Sequence, residues 1–218
     1  MQRIKDFFSL EGPFLTFMEK LVWIFFSNIF FILLCIPVVT MANGAKAMYA
    51  VMYNLVEDKK ADLISTYFSS FKKNFVTGMA ISVTTVVVMV VSVFDILYFF
   101  WMGTTMGYVL MGISIFIALF LLCFFLCMAP VMAVKEGNYK ETLLNTWDFM
   151  KKNPRSALGV LISTACFVSI AVIIMVIPAF YIFAYLLFII VGLNAFVISY
   201  IVHAKLIGRE ALEEEIEE

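Results

Sequence analysis

Charged residues are scarce in this chain. Of its 218 residues, 14% are charged and 64% are hydrophobic, whereas a soluble domain carries about 25% charged residues. A single soluble core of this length has no room for so much apolar surface. The composition therefore indicates one helical domain that folds in a lipid bilayer. The formal net charge of −1 gives no reason to expect nucleic-acid binding.

Residues that carry catalysis or bind metal ions are also few. The chain has one histidine, His203, and four cysteines that stand in apolar runs: Cys35, Cys123, Cys127 and Cys166. The i, i+4 pair Cys123 and Cys127 has no histidine or carboxylate nearby, so we interpret the cysteines as small buried hydrophobes. The sequence contains no Walker A, HExxH or GxSxG motif. We therefore expect no enzymatic activity, no cofactor and no metal site.

Long apolar runs, by contrast, are abundant. Three of them reach the roughly 20 residues that a membrane-spanning helix needs, and they cover 21–42, 76–101 and 105–134. The last run, 157–204, would be about 72 Å long as one helix, which is over twice the thickness of the hydrocarbon core. Pro178 disrupts this run near its middle, so we predict two helices, at 157–177 and 182–204. Continuous apolar runs disfavour a β-barrel, whose strands alternate in polarity.

The predicted fold is all-α, a polytopic membrane bundle of five transmembrane helices within a single domain, 1–218. Its segments are an N-terminal interfacial segment (1–20), helices one and two (21–101), helices three and four (105–177), helix five (182–204) and an acidic tail (205–218). The tail contains the run "REALEEEIEE", which we interpret as solvated.

Basic residues predict the orientation of this bundle, because cytoplasmic loops are enriched in lysine and arginine. Twelve of the fifteen basic residues follow helix one, three or five. They are Lys46, Lys59, Lys60, Lys72, Lys73, Lys135, Lys140, Lys151, Lys152, Arg155, Lys205 and Arg209. The other three, Arg3, Lys5 and Lys20, precede helix one. We therefore expect the N-terminus outside and the C-terminus in the cytoplasm.

A short segment occurs twice. "STYFSSFKKNF" (65–75) and "LNTWDFMKKNP" (144–154) align at an offset of 79 residues, and the same offset matches Glu57 to Glu136. This predicts a parallel internal repeat, in which helices one and two with their connector match helices three and four with theirs. Parallel repeats occur in some transporters, with binding sites between the halves.

Both connectors show helical periodicity of apolar residues. The apolar positions are Ala45, Met48, Tyr49, Met52 and Leu55, then Leu63, Ile64, Tyr67, Phe68 and Phe71, and in the second connector Leu143, Leu144, Trp147 and Met150. Such amphipathic helices lie at the lipid interface or dock on a cytoplasmic partner, and the pattern favours the lipid interface. The candidate partner or lipid contacts are Phe68, Phe71, Lys72, Lys73, Trp147, Met150, Lys151 and Lys152.

Polar residues inside the apolar runs are the remaining candidates for function. Asn28, Asp95 and Asn194 are the intramembrane candidates, and Asp95 is the acidic one, near the outer end of helix two. Asp95 either contacts a ligand or cation or simply reaches water. We interpret the amides and hydroxyls as bonds between helices: Asn28, Asn194, Ser92, Thr84, Thr85 and Ser163.

The stretch from Glu11 to Gly78 resembles the start of the YesL-like proteins, the DUF624 family of bacterial membrane proteins. The residues that carry the resemblance are Gly12, Asn28, Ile36-Pro37, Thr40, Ala47, Tyr49 and the "FKKNF" segment at 71–75. The chain departs from the family pattern at Met41-Ala42, where a glycine is usual, and at Lys46, where a small hydroxyl residue is common.

The resemblance implies a Gram-positive-type plasma-membrane protein with an auxiliary role in carbohydrate uptake. Its partner would then be the permease or the ATPase of a sugar ABC transporter. Two alternatives stay open: a stand-alone carrier of sugar or another small solute, and a structural protein that interacts with lipid. The sequence leaves the oligomeric state open.

Overall fold

A computed structural model describes residues 13–57, 59, 62–176, 190–203 and 205 of the chain. The described residues form helices and connecting turns, and none of them lies in a strand. The helices are α1 (Pro13–Cys35), α2 (Met41–Val56), α3 (Leu63–Lys72), α4 (Phe75–Trp101), α5 (Thr105–Val134), α6 (Tyr139–Lys152), α7 (Pro154–Val176) and α8 (Ile190–His203). The all-α prediction is confirmed.

Four of these helices, α1, α4, α5 and α7, are long and apolar enough to cross a membrane, and α8 is a shorter apolar helix. These helices confirm the polytopic helical bundle. The predicted break at Pro178 falls within 177–189, outside the described residues. The first twelve residues and most of the acidic tail are outside them as well.

Helix one does not have the predicted bounds 21–42. It begins at Pro13, within the predicted interfacial segment, and ends at Cys35. Pro37 ends it, because proline lacks an N–H and disfavours the helical conformation in the residue before it. The Thr40 hydroxyl then donates hydrogen bonds to the carbonyls of Leu34 and Pro37. The Ile-Pro-x-x-Thr segment is therefore a tight turn, and a new helix starts at Met41.

That new helix, α2, lies inside the bundle. It packs against α1, α3, α4 and α5, and its buried apolar residues include Ala47, Met48, Val51, Met52 and Leu55. The Tyr53 hydroxyl donates a hydrogen bond of 3.2 Å to the carbonyl of Pro130 in α5. The expectation that this part of the first connector lies at the lipid interface is wrong, because neighbouring helices cover it on several sides.

The helices α3 and α6 end in the same way. Each finishes with a lysine pair, a single asparagine follows, and an apolar helix of spanning length starts directly afterwards at Phe75 or Pro154. Asn74 adopts the left-handed conformation with a φ of 50°, whereas Asn153 has a φ of −133°. Pro154 disfavours the helical conformation in the residue before it, and no proline follows Asn74.

The repeat holds at these junctions but is shorter than predicted. At the offset of 79, α3 and α4 align with α6 and α7, whereas α2 aligns with residues 120–135 at the end of α5. The counterpart of α1 at this offset would straddle the turn between α4 and α5. Helix one and helix three are therefore not equivalent, and the matching units are α2–α3–α4 and the end of α5 with α6 and α7.

Candidate functional sites

One polar cluster joins the two connectors at the end of the bundle where their lysines lie. Lys46 of α2 is only 5% exposed, and its ammonium donates a hydrogen bond to the carbonyl of Lys73. The ammonium of Lys73 forms an ion pair with Glu136, just after α5. Burial lowers the pKa of Lys46 from its ordinary value; Glu136 opposes this lowering and Lys73 adds to it. Lys73, a predicted lipid or partner contact, thus forms contacts inside the protein that link the two connectors.

A second polar cluster joins the end of α2 to the end of α8. The Nε2 atom of His203 lies 2.8 Å from Oε1 of Glu57, and Lys59 pairs with the same carboxylate. The hydrogen bond from Lys59 lowers the pKa of Glu57, burial raises it, and the hydrogen bond from His203 lowers it further. Sequence reasoning missed this contact, because its two residues are 146 positions apart and no motif links them.

A cavity of about 470 Å³ lies in the middle of the bundle, between α1, α2, α4, α5, α7 and α8. Most of its lining is apolar, with Phe31, Met48, Met89, Phe125 and Phe167 among the larger side chains. Ligand cavities of this size bind through apolar contact and a few polar groups that fix orientation. The polar groups in the wall therefore decide what the cavity accepts.

Those polar groups are already used inside the protein. Ser82 accepts a hydrogen bond from the backbone N–H of Ala42 and donates one to the carbonyl of Gly78. Thr85 donates to a carbonyl of its own helix, and Thr164 donates to its own helix and accepts from Asn194. Among the lining residues that the structure describes, the Tyr49 hydroxyl is the polar side chain left for a ligand. The wall offers little to a solute that carries many hydroxyls.

Asn194 and Asn28 have different surroundings. Asn194 Oδ1 accepts a hydrogen bond of 2.8 Å from the Ser163 hydroxyl, and Asn194 Nδ2 donates one of 3.3 Å to Thr164, which confirms the predicted bond between helices. Asn28 is fully buried, and within the described part of the chain neither atom of its amide has a hydrogen-bond partner. Gly192 of α8 packs closely against it, since a β-carbon there would lie 3.2 Å from the Asn28 β-carbon. The predicted interhelical bond from Asn28 is not formed with any of the described residues.

Among the other polar residues of α4, one bonds to another helix and two bond within α4 itself. Thr84 accepts a hydrogen bond of 3.2 Å from the Tyr139 hydroxyl of α6, as predicted. Thr85 and Ser92 instead donate to carbonyls of their own helix, so the interhelical bonds expected of them are wrong. Asp95 is exposed near the end of α4, and its functional role stays a prediction.

The predicted contacts on α3 are partly covered by the protein itself. Phe68 packs against Phe30 of α1, with ring centroids 5.6 Å apart, and remains 40% exposed. Phe71 is half-buried and packs against Phe75, with centroids 5.5 Å apart. Ile64 and Lys72 are exposed. The outer face of α3 therefore presents Ile64, Phe68 and Lys72.

The predicted contacts on α6 lie beside an open groove of about 550 Å³ between α5, α6 and α7. Trp147 packs edge-on against Phe120 of α5, with centroids 6.2 Å apart. The Lys151 ammonium stands 5.1 Å above the Trp147 ring, an attractive cation–π arrangement. Met150 lines the groove, and Lys152 is exposed beside it.

Comparison with known proteins gives one finding. The family described as a protein of unknown function, DUF624, matches residues 18–96. The matched region runs from α1 through most of α4 and includes the Ile-Pro-x-x-Thr turn. The resemblance inferred from the sequence motifs is confirmed over this region. Neither the curated proteins nor the solved structures give a significant match.

Proposed function

We propose that this chain, whose residues 18–96 match the DUF624 family, is a non-enzymatic accessory protein of the bacterial plasma membrane that supports carbohydrate uptake through a partner. The lining of the central cavity carries this proposal. A sugar needs a hydrogen-bond partner for each hydroxyl that leaves water, and most polar groups in the cavity wall are bonded within the protein. A link to sugar uptake therefore calls for a second protein that moves the sugar.

The partner is proposed to be the permease or the ATPase of an ABC-type sugar importer, the class that the family resemblance implies. The outer face of α3 supports a contact on this side of the chain, because Ile64 and Phe68 are 47% and 40% exposed. These apolar side chains stand next to the basic end of the bundle, at Lys72. Exposed apolar and aromatic residues beside a polar rim are usual at protein interfaces.

The orientation is part of the proposal. Lys46, Lys73 and Glu136 meet at one end of the bundle, and the turn at the other end of α4 and α5, Met102-Gly103-Thr104, carries no charge. Because lysine and arginine favour the cytoplasmic side, the lysine-rich end faces the cytoplasm and the N-terminus faces outward.

Labelling with a membrane-impermeant maleimide tests this orientation. In a variant without native cysteines, Lys140→Cys places a thiol at an exposed position of α6, and Thr104→Cys places one in the opposite turn. In intact cells we expect label at position 104 and none at 140 until the membrane is permeabilised. The reverse pattern would turn the proposed contact face to the outside and refute the partner proposal.

A pull-down in mild detergent from native membranes tests the partner. We expect an importer subunit to be recovered with the wild-type chain and with Leu144→Lys, which changes an exposed residue of α6. With Ile64→Lys on α3 we expect recovery to fall by about tenfold, which corresponds to 1.4 kcal/mol. Recovery of the wild-type chain alone in repeated experiments would contradict the proposal.

Proteoliposomes decide between this proposal and the stand-alone carrier. We expect vesicles that contain only this protein to take up labelled sugars no faster than empty vesicles. Uptake that saturates with sugar concentration would favour the carrier and would require a path other than the cavity described above. A third candidate, a structural protein that interacts with lipid, predicts neither uptake nor recovery of an importer subunit.

A further inference from the structure

The groove beside α6 combines an apolar floor with a basic end. Its walls include Phe116, Phe120 and Cys123 of α5 and Leu158 and Leu161 of α7. Phe116 and Leu158 are 73% and 56% exposed, so the groove opens away from the protein on two helices of spanning length. Trp147 of α6 covers one end, and α6 closes the groove where the lysine pair stands.

The basic end carries three positive charges with no acidic partner. Lys151, Lys152 and Arg155 are all exposed. Within the described part of the chain, no carboxylate lies within ion-pair distance of any of them. Acidic side chains are also missing from the described residues that line the groove. An anion is the complementary charge for this end.

Comparison with the first copy of the repeat shows which group the second junction lacks. At the offset of 79, Phe68 matches Trp147 and Lys73 matches Lys152. In the first copy, the Phe30 ring of α1 packs against Phe68, and Glu136 pairs with the ammonium of Lys73. The protein thus supplies an apolar group and a negative charge at the first junction. At the second junction, Phe120 of α5 packs against Trp147, but no described residue supplies the negative charge.

We propose that an anionic phospholipid supplies this charge and fills the open groove. An acyl chain lies in the groove between α5 and α7, against the exposed side chains of Phe116 and Leu158. The lipid phosphate lies at Lys151, Lys152 and Arg155, where no residue in the described part of the chain takes the place of Glu136. Trp147 stands between the two, an amphipathic ring of the kind that favours the level of the headgroups. The site differs from general attraction of basic residues to a bilayer, because it requires the groove as well as the charges.

Quenching of Trp147 fluorescence by brominated acyl chains tests the proposal directly. The full-length variant Trp23→Phe/Trp101→Phe retains Trp147 as its single tryptophan. It is placed in bilayers with increasing fractions of brominated phosphatidylglycerol or brominated phosphatidylcholine. We expect half-maximal quenching at a phosphatidylglycerol fraction at least tenfold lower than the phosphatidylcholine fraction.

Charge variants in this background test the headgroup contact. A basic residue near an anionic bilayer surface contributes about 1 kcal/mol, which corresponds to about fivefold in affinity. Neutralising Lys151, Lys152 and Arg155 one by one to glutamine should lower the preference for phosphatidylglycerol about fivefold at each step. Lys72→Gln, at the matching position of the first copy, is the control and should leave the preference unchanged.

A filled groove tests the acyl-chain contact. Leu158→Phe adds bulk inside the groove at an exposed position, and Ile162→Phe adds the same bulk one turn further along α7, at a residue outside the groove lining. We expect the first variant to lose the preference for phosphatidylglycerol and the second to keep it. Equal effects of these two variants would overturn the proposal. Equal quenching by the two brominated lipids would also overturn the proposal. Protection of Trp147 from both lipids by a second copy of the chain would overturn it as well.

Discussion

The side-chain amide of Asn43 in α2 occupies the space beside the Cα atom of Gly78 in α4. A β-carbon built at position 78 would lie 2.0 Å from Asn43 Oδ1, closer than any real contact. Asn43 is fully buried, and its Nδ2 donates a hydrogen bond of 3.0 Å to the carbonyl of Phe75. The close approach of α2 to α4 therefore depends on a residue without a side chain at position 78.

Gly78→Ala should destabilise the protein. The added methyl group must push Asn43 aside and disturb its bond to Phe75, and overpacking of this kind costs about 1–3 kcal/mol. Unfolding by denaturing detergent in mixed micelles measures the change. Gly112→Ala is the matched control, because position 112 of α5 has no atom within 4 Å of an added β-carbon. Alanine is the better helix former by about 1 kcal/mol, so the control should be neutral or stabilising. Equal stability of Gly78→Ala and the wild type would show that α2 and α4 do not pack as described.

Lys46→Met should remove a pH dependence of stability. The pKa of Lys46 is lowered from 10.5 in the folded protein, mainly by burial. Between the lowered pKa and 10.5, the unfolded chain binds the proton and the folded chain does not. The free energy of unfolding therefore rises with pH across this window, and this gain is lost as the pH falls through the folded pKa. Unfolding free energies measured from pH 7 to 10.5 should rise in the wild type and stay flatter in the Met variant. Lys72→Met, at an exposed position, should keep the wild-type slope.

Glu57→Gln should loosen the attachment of α8. The pKa of Glu57 is lowered from 4.5 by Lys59 and His203, so its contribution is present above pH 4.5 and is lost as pH falls through the folded pKa. Ion pairs that water can reach contribute about 0.2–1 kcal/mol, so amide hydrogen exchange in α8 should become up to about fivefold faster at pH 7. Asp148→Asn, at an exposed position of α6, should leave that exchange unchanged. Unaltered exchange in Glu57→Gln would mean that the Glu57–His203 contact does not hold α8.

Asn28→Leu should stabilise the protein, opposite to the usual effect of losing a buried polar residue. The Asn28 amide is buried and has no partner among the residues that the structure describes, and such a group costs about 1–3 kcal/mol that an apolar side chain of similar shape avoids. Asn194→Leu should instead destabilise by about 0.6–1.7 kcal/mol, because it removes bonds between α7 and α8. The same unfolding assay compares both variants. A loss of stability in Asn28→Leu would mean that its amide has a partner, such as a bound water or ligand.

Sequence reasoning found the long helices because apolar runs of spanning length are a strong signal. It placed the end of helix one wrongly because residues 36–42 remain apolar through the turn, and hydropathy does not register the break that Pro37 imposes on the backbone. The interior position of α2 was missed for a different reason. Lys46 indicates a water-facing side, yet its long side chain lets the ammonium reach the Lys73 carbonyl while the stem is buried.

In the candidate sites, too, some side chains could be predicted from sequence and their partners could not. The lysine pairs and their aromatic neighbours were visible because they recur at a fixed offset. The partners that neutralise or cover them, Glu136 and Phe30, could not be assigned from sequence, since both come from other elements of the fold. The Glu57–His203 contact is a further case, because it depends on how the end of α8 meets the end of α2.

Because α2 lies inside the bundle, its contacts form in a fixed order as the chain is synthesised. Its neighbours include α1, made before it, and α4 and α5, made after it. Until the ribosome has added α3 and the first residue of α4, Asn43 and Lys46 have neither the Phe75 carbonyl nor the Lys73 carbonyl to bond. The packing surface of α5 is added last, so the bundle can close around α2 only after residue 134 has been synthesised.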